Sequence, residues 1–228
     1  MLWLIVPANA RSADNKALNV SVERLQANKS IPDGQADTLI VSTSKTEAST
    51  PANISGDEPK VLHVVAHAGL ESKGHIGGLD LDGFGAALVA KFGTWLSNTE
   101  VYLHVCLIGR VLDGLLAAVE KADAGKTVTG TSLYAPLNLM IVSKYGIPHV
   151  YGKADAKSED IDPIVAKHDS DYSLLRTKAK LDFLSTGEGW AGYVLSNSRA
   201  ITAIDAETVK EAVLQTFDES GMEVGDLI

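Results

Sequence analysis

The sequence predicts an α/β fold in which a mostly parallel sheet is covered by helices on both faces. Two observations carry that expectation. Apolar, strand-like runs alternate with stretches of helical periodicity along most of the chain. Two of those runs, VLHVVAH (Val61 to His67) and EVYLHVC (Glu100 to Cys106), flank an amphipathic segment as a βαβ unit would. With 228 residues, 45% of them hydrophobic, the chain can bury one substantial core, so residues 1–228 are expected to form a single domain.

Leu2 to Val6 and Thr38 to Ser42 read as short apolar strands, with weak helical character between them from Ala17 to Ala27. The opening MLWLIVPANA has an Ala-x-Ala-like end, but it lacks a basic start and its apolar core is short for a signal peptide. It reads as the first strand, with a targeting remnant as the alternative. Thr43 to Lys60, made of Ser, Thr, Pro, Ala and Gly with scattered charges, reads as a flexible loop, because it has too few apolar residues to offset the entropy of ordering it.

Val61 to His67 is a continuous run rich in β-branched residues, as in a strand buried on both faces. After the Gly-rich ESKGHIGG, Leu81, Phe84, Leu88, Phe92 and Trp95 or Leu96 recur at helical spacing, and Glu100 to Cys106 is the next strand. Asp113 to Ala122 reads as a helix, Thr127 to Leu133 as a strand, Leu137 to Lys144 as a helix ended by Gly146, and Gly146 to Gly152 as a strand. Lys153 to Lys180 is polar. LDFLSTGEGWAGYVLSN then offers two apolar runs about a Gly-containing turn, a possible hairpin; Asp205 caps a final helix with Val209, Val213 and Phe217 on one face.

Lys and Arg total 20 against 29 Asp and Glu, a net charge of −9, and no basic stripe exists to neutralise phosphates. Nucleic acid is therefore not an expected partner. No run approaches the ~20 apolar residues of a membrane span, so no membrane association is expected either. Cys106 is the only cysteine, which excludes an intrachain disulfide and fits a reducing, cytoplasmic compartment.

In a βαβ unit the two strands run parallel and their carboxyl ends emerge at one edge. His67 and Cys106 sit at those ends, and neighbouring strands lie ~4.8 Å apart. A thiolate there can attack a carbonyl while an imidazolium protonates the leaving amine. Beyond the strand ends, the backbone of Ala68 and Gly69 and of Cys106 itself is placed to supply oxyanion donors, and His75 lies in a loop near the same cleft. A lone cysteine is more often a small core residue than a nucleophile. The joint placement of the two groups, each with a glycine within three residues, is what points to chemistry.

These residues carry a family resemblance. An apolar strand ending in His and then Gly, a Gly-rich loop, an amphipathic helix and a second strand ending in Cys (HVVAHAG and VYLHVCLIG) resembles the caspase, gingipain and legumain clan of cysteine peptidases. GGLDLDGFGAALVAKF followed by VYLHVC is most similar to the self-cleaving cysteine protease domains of large bacterial toxins, and the Cys-x-x-Gly of CLIG is similar to legumain and to bacterial CHAT peptidases. The resemblance extends more weakly to Asn197. It implies a caspase-like three-layer α/β/α sandwich and a cysteine endopeptidase acting on a protein or peptide, with Cys106 as nucleophile, His67 as acid/base and no cofactor. It also implies that TVTGTSLYAPL lines the substrate pocket through Thr131, Ser132 and Tyr134, that STGEGWAGYVL forms a β-hairpin flap, and that delivery by secretion as an effector is an alternative setting. Ala68 stands where many relatives have Gly after the histidine, and Val105 where many have a small residue before the cysteine. The inositol hexakisphosphate activator of the toxin domains is not expected, since no comparable Lys and Arg cluster is present.

Alternation along the strands places His63, Val65 and His67 on one face, and Tyr102, His104 and Cys106 on one face of the next strand. A metal site from His67, His104 and Cys106 is conceivable but short of ligands, and none is expected. His104 is the rival base, though it stands beside Cys106 on one strand and does not converge on it. His149 and His168 have no partner in the sequence. Two non-peptidase readings stay open: an inactive caspase-like module that binds peptides, and an α/β protein holding a small ligand at the same edge.

Overall fold

The computed structural model describes residues 2–6, 12–27, 39–43, 60–69, 74–152 and 183–217. In chain order the strands are β1 (Leu2–Val6), β2 (Leu39–Thr43), β3 (Lys60–Val65), β4 (Ala68–Gly69), β5 (His75–Ile76), β6 (Thr99–His104), β7 (Thr131–Pro136), β8 (Met140–Val142), β9 (Pro148–Val150), β10 (Trp190–Leu195) and β11 (Ile201–Ile204). Among the described residues the helices are α1 (Ser12–Ala27), α2 (Leu81–Phe92), α3 (Leu112–Ala122) and α4 (Ala206–Thr216). One seven-stranded sheet runs in the order β11-β10-β7-β6-β3-β1-β2, with β4-β5 and β8-β9 as separate two-stranded ribbons.

Strands β2, β1, β3, β6 and β7 are parallel, and β10 and β11 are added antiparallel at one side. Counted along the chain, the parallel strands stand in the order 2-1-3-4-5. The order reverses between β1 and β3, the topology of a doubly wound sheet that binds ligands beyond its carboxyl edge. The expected α/β class with a mostly parallel sheet is thus what the chain forms.

Strand alternation sorts the core into two layers. Leu62, Val64 and Ala66 of the β3 segment join Val101, Leu103 and Val105 under α2 and α3. Val65 and Tyr102 point the other way, into a layer with Leu18, Val22 and Leu25 of α1 and Val209, Val213 and Phe217 at α4. Helix α2 begins where the Asp80 carboxylate accepts the Gly83 N–H at 2.7 Å, and α4 begins likewise where Asp205 accepts the Thr208 N–H at 2.9 Å. Gly85 lets α2 approach α3, for a Cβ there would lie 2.8 Å from the Ala118 carbonyl carbon.

Several elements differ from expectation. Leu137 to Lys144 forms no helix; β8 and β9 pair as a hairpin about a turn in which Gly146 has φ 79° and its N–H bonds the Ser143 carbonyl at 2.9 Å. The apolar run there is too short for its periodicity to separate helix from strand. β7 starts at Thr131, four residues late, because the Asp123 carboxylate holds the Val128 N–H at 2.8 Å and Gly130 turns at φ 66°. The STGEGWAGYVL segment is not a separate flap: Trp190–Leu195 lies inside the sheet between β7 and β11, and its hairpin partner is Ile201–Ile204. Of the expected loop from Thr43 to Lys60, the ends close β2 and open β3, and residues 44–59 lie outside those described. His168 also lies outside them. No helix of the described residues is long and apolar enough to cross a membrane.

Candidate functional site

The site is built at the carboxyl edge of β3 and β6. Their parallel register pairs His63 with Tyr102 and Val65 with His104, and one further bond runs from Ala66 N–H to the His104 carbonyl at 3.5 Å. His67 and Cys106 each follow two residues after the last pair, Val65 with His104, at the same edge of the sheet. Ala66 and Val105 are buried on the α2/α3 side, so the next residue of each strand turns toward the α1/α4 side. Both groups are half-buried.

Beyond His67 the chain enters the β4-β5 ribbon. Gly77 N–H bonds the His67 carbonyl at 2.9 Å, and Ala68 pairs with Ile76, Gly69 with His75. Antiparallel pairs alternate between bonded and non-bonded, so Gly69 directs its N–H to the His75 carbonyl while the Ala68 N–H points out of the ribbon. Of the expected oxyanion donors, Ala68 is therefore available and Gly69 is committed to the ladder. The same pairing brings His75, half-exposed, to within two residues of His67 along the ribbon.

Beyond Cys106 the chain makes a strained turn. Leu107 has φ 67° and ψ −7°, a left-handed conformation that costs a β-carbon residue roughly 1–2 kcal/mol. It is held by its N–H to the Asn138 carbonyl and by its carbonyl to the Arg110 N–H, both at 3.2 Å. Gly109 permits the turn to press on the end of β7, since a Cβ would sit 2.7 Å from the Ala135 carbonyl oxygen and 2.9 Å from Pro136 backbone atoms. Gly109→Ala is expected to push this turn outward, lower stability by about 1–3 kcal/mol and slow alkylation of Cys106; denaturant melts and mass-detected labelling measure both.

The Cys106 thiol meets the outer edge of β8. Its sulfur accepts the Met140 N–H at 3.4 Å and donates toward the Met140 carbonyl at 3.9 Å. Met140 pairs with Val150 while the bonds of the hairpin flank it at Leu139–Tyr151, which is why both its backbone groups face away from β9. Met140, Asn138 and Leu107 escaped the sequence reading. The only signal was a polar Asn in an apolar run.

No family model matches the chain, and no curated protein matches it.

Three expected pocket residues stand elsewhere. Because β7 runs parallel to β6 with Ser132 opposite Glu100, Thr131 and Ser132 lie at the amino end of the sheet, away from Cys106. Thr131 is fully buried and donates its hydroxyl to the Leu96 carbonyl at 2.6 Å. Tyr134, buried, stacks on Tyr102 with ring centroids 4.8 Å apart. The part of this segment that reaches the carboxyl edge is Ala135 to Asn138. His104 is buried, and its Nε2 lies 3.1 Å from His63 Nδ1. Among the described residues no group of three or more His, Cys, Asp or Glu could hold a metal ion.

Proposed function

We propose that the chain is a cysteine peptidase of caspase-like architecture, in which Cys106 attacks the scissile carbonyl and His67 acts as acid and base. The observation that carries this reading is the parallel register of β3 and β6, whose last pair, Val65 with His104, stands two residues before His67 and Cys106 at the carboxyl edge of the sheet. The 2-1-3-4-5 order supports it, since the ends of β3 and β6 lie beside the point where the order reverses.

In this reading the Cys106 thiolate adds to the peptide carbonyl, and the oxyanion is met by outward backbone N–H groups, that of Ala68 first. His67 passes a proton to the departing amine, leaving a thioester. It then takes a proton from water, which attacks the thioester and restores the thiol. The left-handed turn at Leu107 is strain stored directly beside the nucleophile, a frequent accompaniment of active sites. No metal or organic cofactor enters any step.

One observation favours a second reading, a non-catalytic peptide-binding module. Both contacts of the Cys106 sulfur to Met140 are to the backbone edge of β8, so the thiol could serve as a cap for that edge. Iodoacetamide labelling at pH 7 and a peptide-library digest with wild type and Cys106→Ala separate the two. The peptidase reading expects rapid labelling of Cys106 and cleavage that vanishes in Cys106→Ala. A thiol inert in the folded protein, with no peptide cut, would sink it.

A further inference from the structure

The layer under α4 contains a pair of titratable rings that the proposed chemistry does not use. His63 and His104 are 1% and 4% exposed, stack at 5.3 Å between centroids, and share one hydrogen bond between His63 Nδ1 and His104 Nε2 at 3.1 Å. The other ring nitrogen of His104, Nδ1, is buried without a hydrogen-bond partner. Three aromatic rings stand against them: Tyr102 on His63, Trp190 on His104, and Phe217 at 5.6 and 5.7 Å from the two imidazoles.

Among the described side chains, the elements packed here contribute little charge. On β6, Glu100 accepts the Tyr102 hydroxyl at 3.1 Å, and Cys106 lies two residues beyond His104 with its thiol at Met140. β7 brings Tyr134 and β10 brings Trp190. On α4, Glu207 and Glu211 are exposed, and Lys210 pairs with Glu188 at 3.3 Å. On α1, Glu23 is exposed and Arg24 donates to the Val142 carbonyl at 2.7 Å. No carboxylate among the described residues touches either imidazole.

The lid over this pair is the end of α4. Phe217 closes it, and Thr216 Oγ1 donates to the Tyr102 hydroxyl at 2.7 Å, which itself lies 3.2 Å from the Ala212 carbonyl. α4 follows the edge strand β11, so it can lift without breaking any strand pairing. We propose that α4 is an acid-released latch: it is held down while the His63–His104 pair is neutral, and protonation of the pair frees it, uncovering an aromatic face on the Cys106 side of the sheet.

The titration runs in the required direction. Burial holds His104 down to about 3, and burial, then the charge of His104, holds His63 well below its ordinary value. Water restores the ordinary imidazole value of about 6.5 once the lid lifts. The open form therefore binds more protons, and its population grows as pH falls below about 6.5, by up to about tenfold per unit for each histidine.

Hydrogen–deuterium exchange on the wild-type chain at pH 7.5, 6.5 and 5.5, corrected for intrinsic rates, tests this. Residues 206–217 should lose protection by about 10- to 100-fold per unit below pH 6.5, while α2 and α3 stay protected. His104→Gln and, separately, His63→Leu should each reduce that slope to about tenfold or less. Protection of α4 that ignores pH, or that falls only together with α2 and α3, overturns the proposal. The wild-type comparison decides even if neither variant folds.

Discussion

Replacing His67 with alanine is expected to cut peptide turnover by about 10²- to 10⁴-fold, the range for loss of a general acid–base, with the thermal midpoint nearly unchanged. Its ring is half-buried at the edge of the sheet, and the contact that fixes this stretch of chain, Gly77 N–H to the His67 carbonyl, survives the change. His104→Ala should do the reverse. It empties a buried site between Trp190 and Phe217 and deprives His63 of its bond, a loss of roughly 1–3 kcal/mol. Turnover per folded molecule should persist. The measurements are kcat/KM on a peptide selected from the library, and denaturant melts of both variants. Wild-type turnover in His67→Ala together with none in folded His104→Ala would reverse the assignment.

Asp123→Ala should cost about 2 kcal/mol, because it removes one of the two carboxylates that hold the partly buried Arg199 guanidinium and takes the acceptor from the Val128 N–H. Arg199 donates Nη1 to the Asp123 carboxylate at 2.7 Å and to the Val128 carbonyl at 3.0 Å, and Nη2 to Glu120 Oε1 at 3.0 Å and the Glu120 carbonyl at 3.1 Å. Only 3% of the Asp123 side chain and 17% of that of Arg199 is exposed. The cluster ties the β10-β11 turn to the end of α3 and the approach to β7, so its loss loosens the antiparallel side of the sheet. Burial pushes the Asp123 carboxyl upward, but hydrogen bonds from Arg199, the Val128 and Thr127 N–H groups and the Thr127 hydroxyl outweigh it and bring the group to about 2. A carboxyl depressed on folding contributes stability that is complete above its ordinary value near 3.8 and is lost as pH falls through about 2. Urea midpoints from pH 5 to pH 2 should therefore fall less in Asp123→Ala than in wild type. Equal slopes, or a cost below about 1 kcal/mol, would show that the cluster is a loose surface pair.

The sequence by itself determined the local elements whose pattern is long and unambiguous. β3, α2, β6 and α3 follow from unbroken apolar runs and 3.6-residue spacing, and α4 from the Asp205 cap with Val209, Val213 and Phe217 on one face. It also determined the shared edge of His67 and Cys106, because a βαβ unit leaves two parallel strands no other arrangement. Tertiary structure decided the rest. Whether Ile141 and Val142 extend or coil depended on the β8-β9 pairing, and whether Trp190–Leu195 is flap or inner strand depended on β7 being free to take it. The thiol's partner Met140 stands 34 residues from Cys106, and His63 stands 41 residues from His104. Such contacts are set by the order and register of strands, which arise from the burial of whole faces at once, and no local window of sequence contains them.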